Sequence, residues 1–257
     1  MLNFHGNRKA LSSLLIIIIV AAVVVTVVGA VVVYFWFLPG NLKTEEMEFS
    51  GFTAVEVGEA FEVSITQSSS FSVVITADEK IIGNIEVTQT ENTLKIGLDP
   101  GVISGVLFRK AEITMPELDS LILSGATRGT AEGFSSSNVF TLGLSGASSL
   151  QMSDINMGDA EIEVSGASTL NASGTANDIV ALVSGASDVD LSDFPVNDVD
   201  VNLSGASRAT VNLDGRLDAE LSGASTLEYI GDPTMGDINT SGDSTINKKL
   251  PLSINVS

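Results

Sequence analysis

Residues 161–170 read EIEVSGASTL, and the Ser-Gly-Ala at their centre returns along the chain at Ser124, Ser145, Ser165, Ser184, Ser204 and Ser222. A seventh copy reads Ser241-Gly242-Asp243. Successive copies are 21, 20, 19, 20, 18 and 19 residues apart, so the chain must be read first as a repeat. Aligned on the serine, apolar residues stand three and one before it and five and seven after it. Leu142, Leu144, Leu150 and Met152 show the pattern, as do Ile162, Val164, Leu170 and Ala172, and Val201, Leu203, Ala209 and Val211. This is period two on both sides of a corner, the mark of short strands with one buried face. The glycine allows a sharp bend that a β-carbon would penalise. The alanine after it falls in phase with the inward set and is expected to fill a tight interior corner, while flanking serines and threonines are expected to form hydroxyl ladders between copies.

Units of about 20 residues with no helical period between them cannot bury a core singly and must stack. At about 4.8 Å per strand, seven copies give a parallel β-solenoid about 34 Å long. The drifting spacing, without a strict hexapeptide pattern, favours a right-handed β-helix. The predicted fold is therefore all-β, with residues 119–257 forming the Ser-Gly-Ala solenoid. In the last copy Thr240, Asp243 and Lys248 replace apolar or small residues and NKKLP follows, as a capping turn over an open end requires. No membrane barrel or second functional domain is expected after it. Residues 51–118 form a β-rich N-terminal part. There Val55, Val57, Phe61, Val63 and Ile65 alternate around Gly58-Glu59, and Ile85, Val87, Leu94 and Ile96 alternate around Glu91-Asn92, as hairpins or early turns.

Residues 14–38 carry no charge and are dense in isoleucine and valine. As a helix they would extend about 37 Å, enough to cross about 30 Å of hydrocarbon. Tyr34, Phe35, Trp36 and Phe37 at the far end suit the lipid–water boundary. The competing reading is a cleaved signal peptide ending near Val28-Gly29-Ala30, but the apolar run continues eight residues beyond it. Arg8 and Lys9 precede the run, so residues 1–13 are expected in the cytoplasm, 14–38 as a single transmembrane helix, 39–50 as a linker and the remainder outside the cell.

Residues 44–257 hold nine cations against all 32 carboxylates of the chain, which argues against nucleic acid as a partner. The chain has no cysteine, and its one histidine, His5, lies ahead of the apolar run. Disulfides, thiolate metal sites and Ser-His or Cys-His catalysis are thereby excluded from the body of the protein.

The ordered segments FTAVEVGEAFEVSITQ, NTLKIGL, ITMPELDSLILSGA and the serial LSGAS, over roughly residues 52–247, resemble the GIN-domain family, also described as autotransporter adhesin head domains. The resemblance implies a β-solenoid and an adhesive role, and it carries no catalytic or ligand-binding residues to map onto this chain.

Carboxylates are the only catalytic candidates outside the membrane. Asp188 with Asp190, and Asp198 with Asp200, place pairs about 7 Å apart on one side of a strand, a spacing read first as a solvated strand face, with calcium binding or a glycosidic bond as the alternatives. Asn171, Asn202, Asn239 and Asn255 begin Asn-x-Ser sequons. Arg128, Arg208 and Arg216 are too scattered for a polysaccharide-lyase groove and are expected to pair with nearby acids. The repeat region offers few aromatics, Phe134, Phe140, Phe194 and Tyr229. No catalytic, cofactor or metal residue is assigned. The expectation is a non-enzymatic, surface-anchored binding or structural module whose partner is a surface glycan, an envelope polymer or another surface protein. A carbohydrate-active enzyme on the same scaffold and an envelope sensor or assembly factor are the alternatives.

Overall fold

The structure, a computed structural model, describes residues 40–99 and 107–250. Residues 1–39, with the apolar run at 14–38, lie outside the described residues, as does Asn255. No helix among the described residues is long and apolar enough to cross a membrane.

The first seven strands are β1 (Leu42–Met47), β2 (Ala54–Val57), β3 (Glu62–Gln67), β4 (Ser72–Asp78), β5 (Ile85–Thr90), β6 (Thr93–Leu98) and β7 (Arg109–Met115). The repeat region then alternates β8 (Ser120–Leu123), β9 (Arg128–Glu132), β10 (Phe140–Leu144), β11 (Ser149–Asn156), β12 (Ala160–Val164), β13 (Thr169–Thr175) and β14 (Ile179–Val183). It continues through β15 (Asp188–Val196), β16 (Val199–Leu203), β17 (Arg208–Leu213), β18 (Arg216–Leu221), β19 (Thr226–Ile230), β20 (Thr234–Thr240) and β21 (Thr245–Lys248). Odd-numbered repeat strands stack in parallel in an eleven-stranded sheet and even-numbered ones in a ten-stranded sheet. Each corner carries the chain from one sheet to the other, so seven corners linked by six returns make a parallel β-solenoid.

Stacking aligns equivalent residues of every copy. In the ten-stranded sheet Val57, Leu123, Leu144, Val164, Val183, Leu203 and Leu221 are successive register partners, and none is more than 1% exposed. This column and its counterpart Leu150, Leu170, Val189, Ala209 and Leu227 in the facing sheet form one core along the stack. Burial of such side chains, at about 1.5–3 kcal/mol each, is the main force holding turn upon turn.

The corners correct one expectation. Ala126, Ala147, Ala167, Ala186, Ala206 and Ala224 are exposed, and the buried corner residue is the next one, Thr127, Ser148, Ser168, Ser187, Ser207 or Ser225. The reason lies in the glycine. Gly166 has φ +80, which rotates the chain so that the following alanine points outward and the fourth residue inward. Close backbone stacking is the second demand on this glycine, since a β-carbon on Gly166 would lie 2.3 Å from the Gly146 carbonyl oxygen. The inward hydroxyl is satisfied locally. Ser148 donates to the carbonyl of Ser145, Ser168 to Ser165 and Ser187 to Ser184, all at 2.8–2.9 Å.

The drift in repeat length is absorbed outside the ten-stranded sheet, whose pairings from β8 to β18 show no register shift. Bulges fall instead between Met152 and Ile155, Asn171 and Ser173, and Asp190 and Pro195 of the eleven-stranded sheet.

The N-terminal part continues the stack rather than standing apart. The alternation around Gly58-Glu59 is a solenoid turn, with β2 parallel to β8 and β3 parallel to β9. The alternation around Glu91-Asn92 is a hairpin, β5 antiparallel to β6. Within residues 39–50, β1 pairs antiparallel with β4 and ends the eleven-stranded sheet.

Candidate functional site

Alternation that points one half of each strand inward leaves two outward faces, and stacking turns each into rows with a step of about 4.8 Å. The eleven-stranded face carries amides, hydroxyls and carboxylates. One row runs Ser64, Thr130, Gln151, Asn171, Asp190, Thr210, Glu228 and Asn247, each the register partner of the next, and of these Thr210 is buried. Beside it run Glu62, Arg128, Ser149, Thr169, Asp188, Arg208, Thr226 and Thr245. Each row spans about 34 Å. The ten-stranded face is more acidic, presenting Glu161, Glu163, Asp200, Asp218 and Glu220 around the exposed apolar pair Val180 and Leu182.

The two carboxylate pairs separate. Asp188 and Asp190 lie in the rows of the eleven-stranded face, where Asp190 accepts a hydrogen bond from the Ser192 backbone N–H at 3.0 Å. Asp200 lies on the opposite face, and Asp198 sits on the return edge accepting the Arg216 backbone N–H at 2.6 Å. Nothing brings the pairs together, and no group of three or more metal-ligating side chains forms among the described residues.

Arg128 and Arg208 occupy one row four strands apart, about 19 Å along the stack. Arg216 pairs as expected, donating to both carboxylate oxygens of Asp218 at 2.6 and 2.7 Å. That contact, with a further hydrogen bond from the Asp237 backbone N–H, pulls the Asp218 carboxyl down to about 2. Phe134, Phe140 and Phe194 are buried in the core and Tyr229 is half-buried against it, so the repeat phenylalanines offer no stacking platform to a sugar. Of the described sequons, Asn171 and Asn239 are exposed, and Asn202 is half-buried, donating to Glu220 at 3.3 Å.

An open cavity of about 340 Å³ is lined by Glu56, Glu59, Glu86, Lys95, Gly97 and Ser124. Within it Lys95 pairs with Glu56 at 2.6 Å, and Glu59 accepts the Leu98 backbone N–H at 3.1 Å. The extended polar rows, not this hollow, are the largest ordered array of surface chemistry. What the sequence reading missed is the inward Ser or Thr three residues beyond each corner serine. Its presence in all seven copies, at Thr127, Ser148, Ser168, Ser187, Ser207, Ser225 and Ser244, was the available signal.

Comparison with solved structures supports the architecture. A "putative adhesin" from Bacteroides fragilis superposes with a TM-score of 0.74 at 20% identity, covering 81% of this chain and 97% of its own. A "putative lipid binding protein" and a "putative adhesin", both from Parabacteroides distasonis, give 0.65 at 18% and 0.59 at 15% identity. Both cover 82% of this chain, and 97% and 98% of their own. At these identities the likeness is one of fold. No curated protein matches the chain. The family model described as "Putative auto-transporter adhesin, head GIN domain" matches residues 51–233, so the chain is a member of that GIN-domain family.

Proposed function

We propose that this protein is a membrane-anchored, outward-facing and non-enzymatic adhesin-like module, held by a helix at residues 14–38 with the solenoid on the external side. Its eleven-stranded face engages a surface glycan or envelope polymer along its length. The observation that carries this reading is the register of polar residues from Ser64 to Asn247, which repeats amide, hydroxyl and carboxylate groups at a fixed step and is interrupted at the surface by the buried Thr210. A repeating polymer can use such a row many times over, each contact weak and the sum considerable. The family match and the adhesin-like relatives agree with a binding role.

The test is a screen of glycans and envelope polymers against the purified full-length chain in detergent, with turnover measured on the same polymers. Binding lost in a triple variant of Gln151, Asn171 and Asp190 to alanine, without loss of folding, supports the reading. Turnover abolished by Asp190→Asn overturns it in favour of an enzyme. Digestion of the solenoid by protease added to intact cells checks the topology.

A further inference from the structure

Among the described residues both ends of the stack finish in edge strands, β1 and β5 at the N-terminal end and β20 and β21 at the C-terminal end. At the N-terminal end, the eleven-stranded sheet finishes in β1, whose Lys43, Glu45 and Glu46 charge the strand and discourage pairing. At the C-terminal end, β20 and β21 are the last strands of the two sheets, each hydrogen-bonded to one neighbour. Half their backbone N–H and C=O groups therefore face away from the stack. The inward columns end there too. Met235 lies over Leu217 and Ile238 over Ala219, but Met235 is 46% and Ile238 36% exposed where their partners are buried. Unpaired strand edges flanking an exposed core section call for further β-strands as the occupant.

We propose, building on the surface-module reading above, that a second copy of this chain occupies this end, with β20 of each copy pairing antiparallel to β21 of the other. Charge chooses this crossing. β20 carries Asp237, exposed and 3.7 Å from the Arg216 guanidinium, and β21 leads into Lys249, which reaches back along the outer side to Glu228 at 3.4 Å. A two-fold axis along the strands sets each Asp237 edge against the lysine-bearing edge of the partner, at two symmetric places. The other two-fold, β20 on β20, would set Asp237 against itself. Both bodies are strongly acidic elsewhere, so their faces repel while these ends attract. The N-termini then lie at opposite extremes of the pair, which suits copies borne on two facing surfaces.

The chain has no cysteine, so single introduced thiols report contact cleanly. Full-length Asn239→Cys and Asn247→Cys chains in detergent, mixed under mild oxidation, should give a disulfide-linked dimer several-fold above either variant alone. Equal cross-linking by either variant alone overturns the crossed arrangement. Cross-linking no greater than that of a Lys43→Cys control at the opposite end overturns the self-association. Should the dimer appear only when the mixed chains end at Leu250, residues 251–257 are the natural occupant and the proposal fails. As a second check, Asp237→Lys should abolish the mixed dimer and adding Lys249→Glu should restore it; cross-linking indifferent to both counts against the pairing. None of these outcomes depends on polymer binding, so this inference and the glycan reading fail separately.

Discussion

The Ser168 hydroxyl donates to the carbonyl of Ser165 at 2.9 Å, while its own Oγ accepts the Ser148 backbone N–H of the preceding turn at 3.3 Å. One side chain thus ties its own corner and touches the corner beneath.

Removing that hydroxyl leaves buried polar backbone groups with fewer partners. Ser168→Ala should destabilise the protein by about 1–3 kcal/mol, read as a lower urea midpoint at unchanged slope. Ser168→Thr, which keeps the hydroxyl as Thr127 does in the first corner, should recover most of the loss.

The glycine corner predicts a sharp contrast between adjacent positions. Gly166→Ala combines a positive φ with a β-carbon overlapping the Gly146 carbonyl and should cost at least about 2 kcal/mol. Ala167→Ser next to it, on an exposed position, should stay within about 0.5 kcal/mol. Similar losses at both would mean that the alanine, not the backbone approach, governs the corner.

Core and face residues should separate as clearly. Leu170→Ala removes a fully buried side chain from the shared interior and should cost about 2–5 kcal/mol. Leu182→Ala, 52% exposed on the ten-stranded face, should change stability by less than about 0.5 kcal/mol. Thermal unfolding of the two variants side by side checks the pair.

The Arg216–Asp218 contact has a defined acid limit. The folded carboxyl titrates at about 2 instead of its ordinary 3.8, so its stabilising effect is present above the ordinary value and lost as pH falls through about 2. Asp218→Asn should therefore melt below the parent near neutral pH and converge with it at the acid end. Both side chains meet solvent, so the gap should be small and should shrink with added salt.

The solenoid was legible because period-two hydrophobicity and a recurring glycine reflect constraints that act on every copy alike. Leu144, Val164 and Leu203 show the inward phase without any structure. The direction of the corner was harder. Counting by twos through Ser-Gly-Ala puts Ala167 inside, but a residue at φ +80 breaks the alternation, and no strand rule carries across it. The parting of Asp190 from Asp198 was likewise hidden, because they are close in sequence while the return between them changes sheet. The outward rows depend on register between copies, which repeat length alone does not give when bulges such as that at Met152–Ile155 absorb the differences.

The bulges and the glycine corners divide the labour in a way that bears on how such a protein can change. From β8 to β18 the ten-stranded side keeps strict alignment, while variation in spacing falls on the other side of the coil. Duplicating or deleting one whole copy would then lengthen or shorten the body in steps of about 4.8 Å, leaving every remaining contact as it was. The distance at which such a molecule meets its target is adjustable by recombination within the gene, with no new interior to invent.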